Sequence, residues 1–570
     1  MGNKLNQWTA GQWIGRAVAA GIATAVAAFG CVPAFAQQAS KLSNIDRRIE
    51  QREIVEPAPP AEPMEIPAMP APDPGAWRAK PFVLGGVVID GATVFTVERF
   101  TESYEDFLAR KVTADDIETI LQRITRIYRD SGYFLARVIA PKQSVRAGVV
   151  RLRIIEGYIA RVSIGDDYPG REVIDRYARA VLAQRPARLE TVERMLLFTK
   201  DLPGVSVVPT VQPVDKREGR YELRLNLKYK PVSASVQLDN LGTPDVGRLQ
   251  GLVTGSLNAP FGLGERLHAT FITVPDQPKE LLYGSLEAMV PVGANGARVS
   301  LLGALSAVDA GGEKSAFDTE SDSKQLIGRF RYPLIRTRSR TFWLTGTLDF
   351  RDFEETEQGQ LVIRDRSRVV RAGARYVARD ALRGMNSVSL ELSQGLGFLG
   401  ASERGSSTLS RPDGHSDFTK LAARMVRRQP LTDRIEVKVS FMGQLAADPL
   451  LSYEEFSLGG EVIGRGYDFS EISGEHGVAS SLELRYTKPS NLSWLDQYQL
   501  YSFLDGGVIW DKSMGRSFKR DRLASAGIGV RLQVLDCGHA AFEAAKPLTR
   551  AVETRGDDDW VAFFTLGLRY

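Results

Sequence analysis

Residues 454–486 read EEFSLGGEVIGRGYDFSEISGEHGVASSLELRY. A glycine-rich loop centred on an arginine, Gly459-Gly460 and then Gly464-Arg465-Gly466-Tyr467, runs straight into a segment of alternating apolar and charged residues. Leu482, Leu484 and Tyr486 share one face of that segment, with Glu483 and Arg485 on the other. Period-two alternation with full charges on the second face fits a sheet that meets lipid on one side and water on the other. Four glycines within positions 459–466 give the backbone the freedom that a buried, folded-back loop needs.

The same alternation recurs from Pro231 to Tyr570. Phe342, Leu344, Gly346, Leu348 and Phe350 alternate with polar residues, as do Val388, Leu390 and Leu392, and Ile435, Val437, Val439 and Phe441. The chain ends on Phe564, Leu566, Leu568 and Tyr570 in the same rhythm. A soluble β-sandwich would also alternate, but aromatic residues near strand ends favour a membrane barrel. An arginine inside a barrel needs a carboxylate, and Phe503-Leu504-Asp505-Gly506-Gly507 supplies one. If Leu504 and Val508 face lipid, Asp505 faces the lumen, in fork geometry that lysine would not reproduce. In a wet lumen such a pair contributes only about 0–1 kcal/mol, so its use would be to position the loop. The competing reading is a solvated arginine in a mobile outer loop.

Composition excludes several classes. A formal net charge of +4 over 570 residues leaves no concentrated basic face for nucleic acid. Two cysteines, Cys31 and Cys537, make no disulfide framework. His268, His415, His476 and His539 stand singly without ligand spacing, so no metal is expected. Gly395-Leu-Gly397-Phe-Leu-Gly400 matches the dinucleotide fingerprint, yet no amphipathic helix or suitably placed acid follows. No Gly-Lys-Ser/Thr phosphate loop occurs, and no nucleophile–base set points to an enzyme or a cofactor.

The first 230 residues are organised differently. Lys4, Arg16, the apolar run Ala17–Gly30 and Ala34-Phe35-Ala36 predict a signal peptide over 1–36, the alternative being an uncleaved membrane helix. Residues 37–56 read as a short polar helix with Leu42, Ile45 and Ile49 on a narrow stripe, suited to a wet channel, or else as a frayed tail. Eight prolines between Pro57 and Pro74 make 57–79 an extended linker of roughly 50 Å. Residues 80–157 and 158–230 each combine helical and strand patterns. Thr113 is placed to cap a helix carrying Ile117, Ile120, Leu121, Ile124 and Ile127, which closes at Gly132. Strands are expected at 133–139, 149–155, 205–211 and 221–229, with helices near 173–182 and 189–199.

The Arg-Gly-Tyr core and the SLELRY tail resemble the long inward-folded loop of two-partner secretion transporters, the hemolysin activator and filamentous haemagglutinin exporter family. Asp239-Asn240-Leu241-Gly242 with Gly247, Arg331-Tyr332-Pro333-Leu334, Glu391–Ser402 and Glu543–Leu548 are similar to that family in the same order. Tyr570 and Glu265 depart from it, where phenylalanine and aspartate are usual. The resemblance implies a transmembrane antiparallel β-barrel of about sixteen strands over 231–570. It also implies two POTRA (polypeptide-transport-associated) modules over 80–157 and 158–230, and a plug helix tethered inside the pore. Arg465 would pair with Asp505 on the barrel wall. The function implied is export of a large unfolded partner protein from periplasm to cell surface without nucleotide hydrolysis, by a monomer embedded in outer-membrane lipid. The alternative is an assembly factor that inserts other barrels, whose relatives share the Arg-Gly loop but usually carry more modules and no plug.

Overall fold

A computed structural model describes Leu42 and residues 80–165, 168–511, 520–535 and 537–570. The expected signal peptide, plug helix and proline linker lie outside the described residues, Leu42 excepted.

Two small α+β units come first, each with its own three-stranded sheet and core. In the first, strand Val149–Ile155 is central, parallel to Gly86–Asp90 and antiparallel to Arg137–Ile139. Helix α1 (Ala114–Asp130) packs on it through Ile117, Ile120, Leu121, Ile124 and Tyr128. Its start is fixed by a capping box in which Thr113 and Asp116 satisfy each other's backbone N–H. The second unit repeats the plan, with Arg220–Tyr229 between Tyr158–Ile164 and Val205–Asp215, beneath α2 (Arg171–Ala183) and α3 (Leu189–Lys200). Glu156 sits at the junction. Burial opposes its charge, but hydrogen bonds from the Thr93 and Tyr128 side chains and from the Thr93 and Val94 amides outweigh that and hold its pKa below the usual carboxylate value.

Three details differ from the sequence reading. Residues 133–136 form a tight turn, not strand, so the expected 133–139 strand shrinks to Arg137–Ile139. Strand Tyr158–Ile164 was not anticipated, because a bulge between Ile159 and Arg161 breaks its alternation. The strand begun at Val205 runs on to Asp215 past Pro209 and Pro213, which its edge position tolerates.

From Val232 to Arg569, sixteen antiparallel strands close into a barrel. No α-helix occurs among the described residues after 231. Leu344, Leu348, Val388, Leu390, Leu392, Val439, Phe441, Leu566 and Leu568 all face outward, as alternation required. Ser321, Ser323 and Gln325 on strand Thr319–Arg336, and Asp349 and Arg351 on Arg340–Glu357, are buried on the inner face. The seam joins Val561–Arg569 to Val232–Asp239 over the register Thr565↔Asp239 to Arg569↔Ser235. Beyond it the Asn240 side chain continues the ladder, accepting from Phe564 N at 2.7 Å and donating to Ala562 O at 3.0 Å.

The second α+β unit is seated on the rim of the barrel where its first strand begins. Arg336 donates in fork geometry to Asp201 at 2.7 and 2.9 Å, and Arg298 donates to the Asp201 carbonyl at 2.9 Å. Arg338 meets Glu193 of α3 at 2.5 Å, and Phe198 packs so closely on Gly296 that a Cβ there would lie 2.6 Å from its ring. Glu265, the departure noted above, accepts from the amides of Phe261 and Leu263 and so holds the turn against which Val173 and Leu202 rest. Asp201→Ala should loosen this seat. Charge-assisted hydrogen bonds contribute about 1.5–3 kcal/mol each, so amide exchange in α3 is expected to rise at least tenfold while the barrel stays heat-modifiable on gels. Unchanged exchange would show that the rim contacts do not hold the module.

Candidate functional site

The stretch 447–475, between strands Ile435–Ala446 and His476–Pro489, folds into the barrel. Phe456–Leu458 pairs with Ile472–Gly474 as a two-stranded ribbon. Phe456, Leu458, Ile463, Tyr467 and Ile472 form an apolar cluster with the wall residues Ala479, Ile509 and Leu523. Two glycines make this approach possible. A Cβ on Gly477 would fall 2.0 Å from the Phe456 ring, and Gly464, at φ +92°, would bring one within 2.7 Å of Leu523.

At the tip, the Arg465 guanidinium meets Asp505 in a fork, Nε to Oδ2 at 2.9 Å and Nη2 to Oδ1 at 3.1 Å. Nη1 donates to Glu483 at 2.8 Å and lies 3.4 Å from Glu543, and the whole group rests 3.5 Å from the centre of the Phe503 ring. Asp505 Oδ2 also accepts from the amides of Gly464 and Arg465 at 3.3 and 3.4 Å. Glu483 is shared with Arg485 at 2.7 Å and Arg531 at 2.9 Å, and Glu543 accepts from the Tyr501 hydroxyl at 2.8 Å. Three carboxylates (Asp505, Glu483, Glu543) and three arginines (Arg465, Arg485, Arg531) thus balance one another. Tyr467 accepts from the amides of Thr549 and Arg550, and Gly466 packs on the backbone of Lys546 and Pro547.

The pair is drier than expected. Side-chain exposure is 8% for Arg465 and 0% for Asp505, because the loop itself fills this part of the lumen. In such a setting, losing one partner strands the other's charge and costs about 3–5 kcal/mol. The earlier figure for a wet pair does not apply.

A second anchor lies on the far side of the loop and was not anticipated. Glu454 takes Arg371 at 2.7 and 3.2 Å and Lys420 at 2.6 Å, both from other strands, while Arg371 also reaches Asp349 at 3.0 Å. Beside it Arg411 bridges Glu455 and Glu475 at 3.1 and 3.2 Å, and Arg351 stacks on Tyr453 at 3.6 Å. Gly464, Arg465, Gly466, Tyr467 and Asp505 are therefore brought together, with Glu483 and Glu543 added. Glu454 offered no sequence signal beyond its charge. Among the described residues no cluster of potential metal ligands occurs. The fingerprint at Gly395 ends a strand and is followed by loop rather than helix.

An inward arginine loop in a sixteen-strand barrel, behind paired α+β units, narrows the identity sharply. The family model for the haemolysin secretion/activation protein ShlB/FhaC/HecB matches residues 223–532. The chain belongs to this family. A ShlB-type POTRA domain matches residues 82–157. Relatives include the hemolysin transporter protein ShlB of Serratia marcescens, 23% identical over 75% of this chain and 74% of its own, and the outer membrane transporter CdiB of Escherichia coli O6:K15:H31, 24% identical over 84% and 80%. Among solved structures, CdiB from Escherichia coli superposes with a TM-score of 0.69 at 20% identity, covering 94% of this chain and all of that one. BamA from Haemophilus ducreyi reaches 0.53 at 16% over 86% of this chain and all of its own, a likeness of fold alone. The protein is thus a two-partner secretion transporter of the outer membrane.

The two anchors are separable. Glu454→Gln should raise amide exchange at 452–456 by tenfold or more and leave 464–467 protected, since sites this independent act additively. Loss of protection at both sites together would mean that the loop opens as a single unit.

Proposed function

We propose that the loop 447–475 is the movable element of the export channel, fixed at rest to two sectors of the barrel wall, by Arg465 at one and Glu454 at the other. Residues 1–36 are a signal peptide, 37–56 a plug helix and 57–79 its tether. The POTRA modules hold an unfolded exoprotein in the periplasm, by adding it as a strand at a free sheet edge. The plug then leaves, the client threads past Arg465 as a monomeric barrel opens its lumen, and folding outside opposes return without nucleotide hydrolysis.

The observation that carries this reading is Leu42. It is buried among Val246, Ile272, Tyr283, Val308 and Phe353, a cluster built mainly from inward positions near the extracellular end of the barrel. A residue of the expected plug thus packs at the far mouth of the lumen, and residues 43–79 are long enough to return to the periplasmic modules. An insertase reading gives that contact no purpose.

Arg465→Ala should leave a heat-modifiable barrel in the outer membrane and cut exoprotein secretion at least tenfold, with Arg465→Lys only partly restoring it because the fork to Asp505 is lost. Secretion at the original level from Arg465→Ala would remove the loop from the mechanism.

A further inference from the structure

The outward face of strands Leu282–Val292, Ala297–Asp309, Thr319–Arg336 and Arg340–Glu357 carries Gly284, Gly303, Gly328 and Gly346. A Cβ at any of these four meets no atom within 4 Å. The register sets Gly303 between Leu286 and Leu326, and Gly284 opposite Leu305. Here the wall holds a concavity of about 1000 Å³, bounded by Phe271, Leu286, Leu305, Leu326 and Phe350. Those residues belong to the lipid-facing set, so the hollow opens toward the bilayer.

Its upper rim is charged. Asp322, Lys324, Asp352 and Arg368 border the same concavity. The first barrel strand starts from the periplasmic modules, so the Thr319 end of its strand is extracellular. From there Glu320, Asp322 and Lys324 face outward before the apolar positions Leu326 to Leu334 begin, a run of about 26 Å along the strand. Lys324 thus marks the outer boundary of the hydrocarbon layer.

Register places Lys324, Asp352 and Arg366 in one row across three strands, with the two cations about 10 Å apart. Asp352 is already taken by Arg368 at 2.7 Å. Among the described residues Lys324 has no ion-pair partner, and the Arg366 guanidinium has none either, its Nε buried without an acceptor. In the row above, Arg364 pairs with Glu354 at 2.8 Å and Asp322 carries one further negative charge.

We infer that this is a binding site for a phosphorylated, multiply acylated glycolipid of the outer leaflet, of the lipid A class. One acyl chain lies in the hollow over Gly303, and a phosphate sits between Lys324 and Arg366. Apolar volume below, and above it two cations without a direct ion pair, match the two parts of that molecule at the depth where it resides. The inference rests on the barrel's orientation, and not on how the lumen loop works.

Native mass spectrometry of the full-length protein in detergent, titrated with diphosphorylated hexa-acyl lipid A, tests it. Wild type is expected to retain one lipid A. Lys324→Gln/Arg366→Gln should weaken retention at least tenfold by removing the phosphate contacts, and Gly303→Leu should do so by filling the hollow, with heat-modifiable migration and secretion unchanged. Equal retention by wild type and both variants would overturn the site. Retention of phosphatidylglycerol as strong as that of lipid A would overturn the glycolipid assignment. Should the double variant fail to assemble, Gly303→Leu alone decides, since its side chain enters open space.

Discussion

A guanidinium removed from water must find carboxylates, and those carboxylates must in turn be held where they cannot relax away. Arg465 meets that requirement with Asp505, Glu483 and Glu543, which project from strands His476–Pro489, Leu495–Trp510 and Gly538–Pro547. Because Glu483 also serves Arg485 and Arg531, the loop tip is bound to a sector of wall rather than to one residue. Inner-face charges that would be liabilities in an apolar core become a socket. The glycines flanking Arg465 matter because any side chain there would hold the tip off the wall.

The barrel was legible because membrane strands write their lipid face into every second residue, and the outward rows at 342–350, 388–392, 435–441 and 564–570 follow that rule. The Arg465–Asp505 pairing was reachable through the family resemblance and the inward parity of Asp505. Glu454 was not, since it ends a short 3-10 helix, Ser452–Glu454, with no period to mark its direction, and its partner Arg371 is 83 residues away. Glu483 was visible as an inward charge, but nothing local showed which cation it would meet. The Tyr158–Ile164 strand was hidden by one bulge, which shifts side chains to the other face. The dryness of the pair depends on the loop filling its own cavity, a tertiary fact without a sequence period.

Two ends of the molecule are thus tied down by the same chemistry. At the periplasmic rim, Asp201 receives Arg298 and Arg336, and the second α+β unit is fixed to the strands of the barrel. Inside, Arg465 and Glu454 hold the loop to two separate sectors of the wall. Ion pairs suit this use better than apolar packing does. Each is directional, so the pairs fix the orientation of a loop whose apolar residues Phe456, Leu458, Ile463, Tyr467 and Ile472 pack on the wall beside them. The outer wall, by contrast, uses size complementarity, small residues against large ones, where lipid is the solvent.

A double-mutant cycle on Arg465 and Asp505, read through amide exchange of residues 459–467, tests the central claim most directly. If the loop is held by this buried pair, the two alanine substitutions should each raise exchange strongly and the double variant little further, a coupling of about 3 kcal/mol or more. Strictly additive effects, or protection unchanged in all three variants, would contradict it.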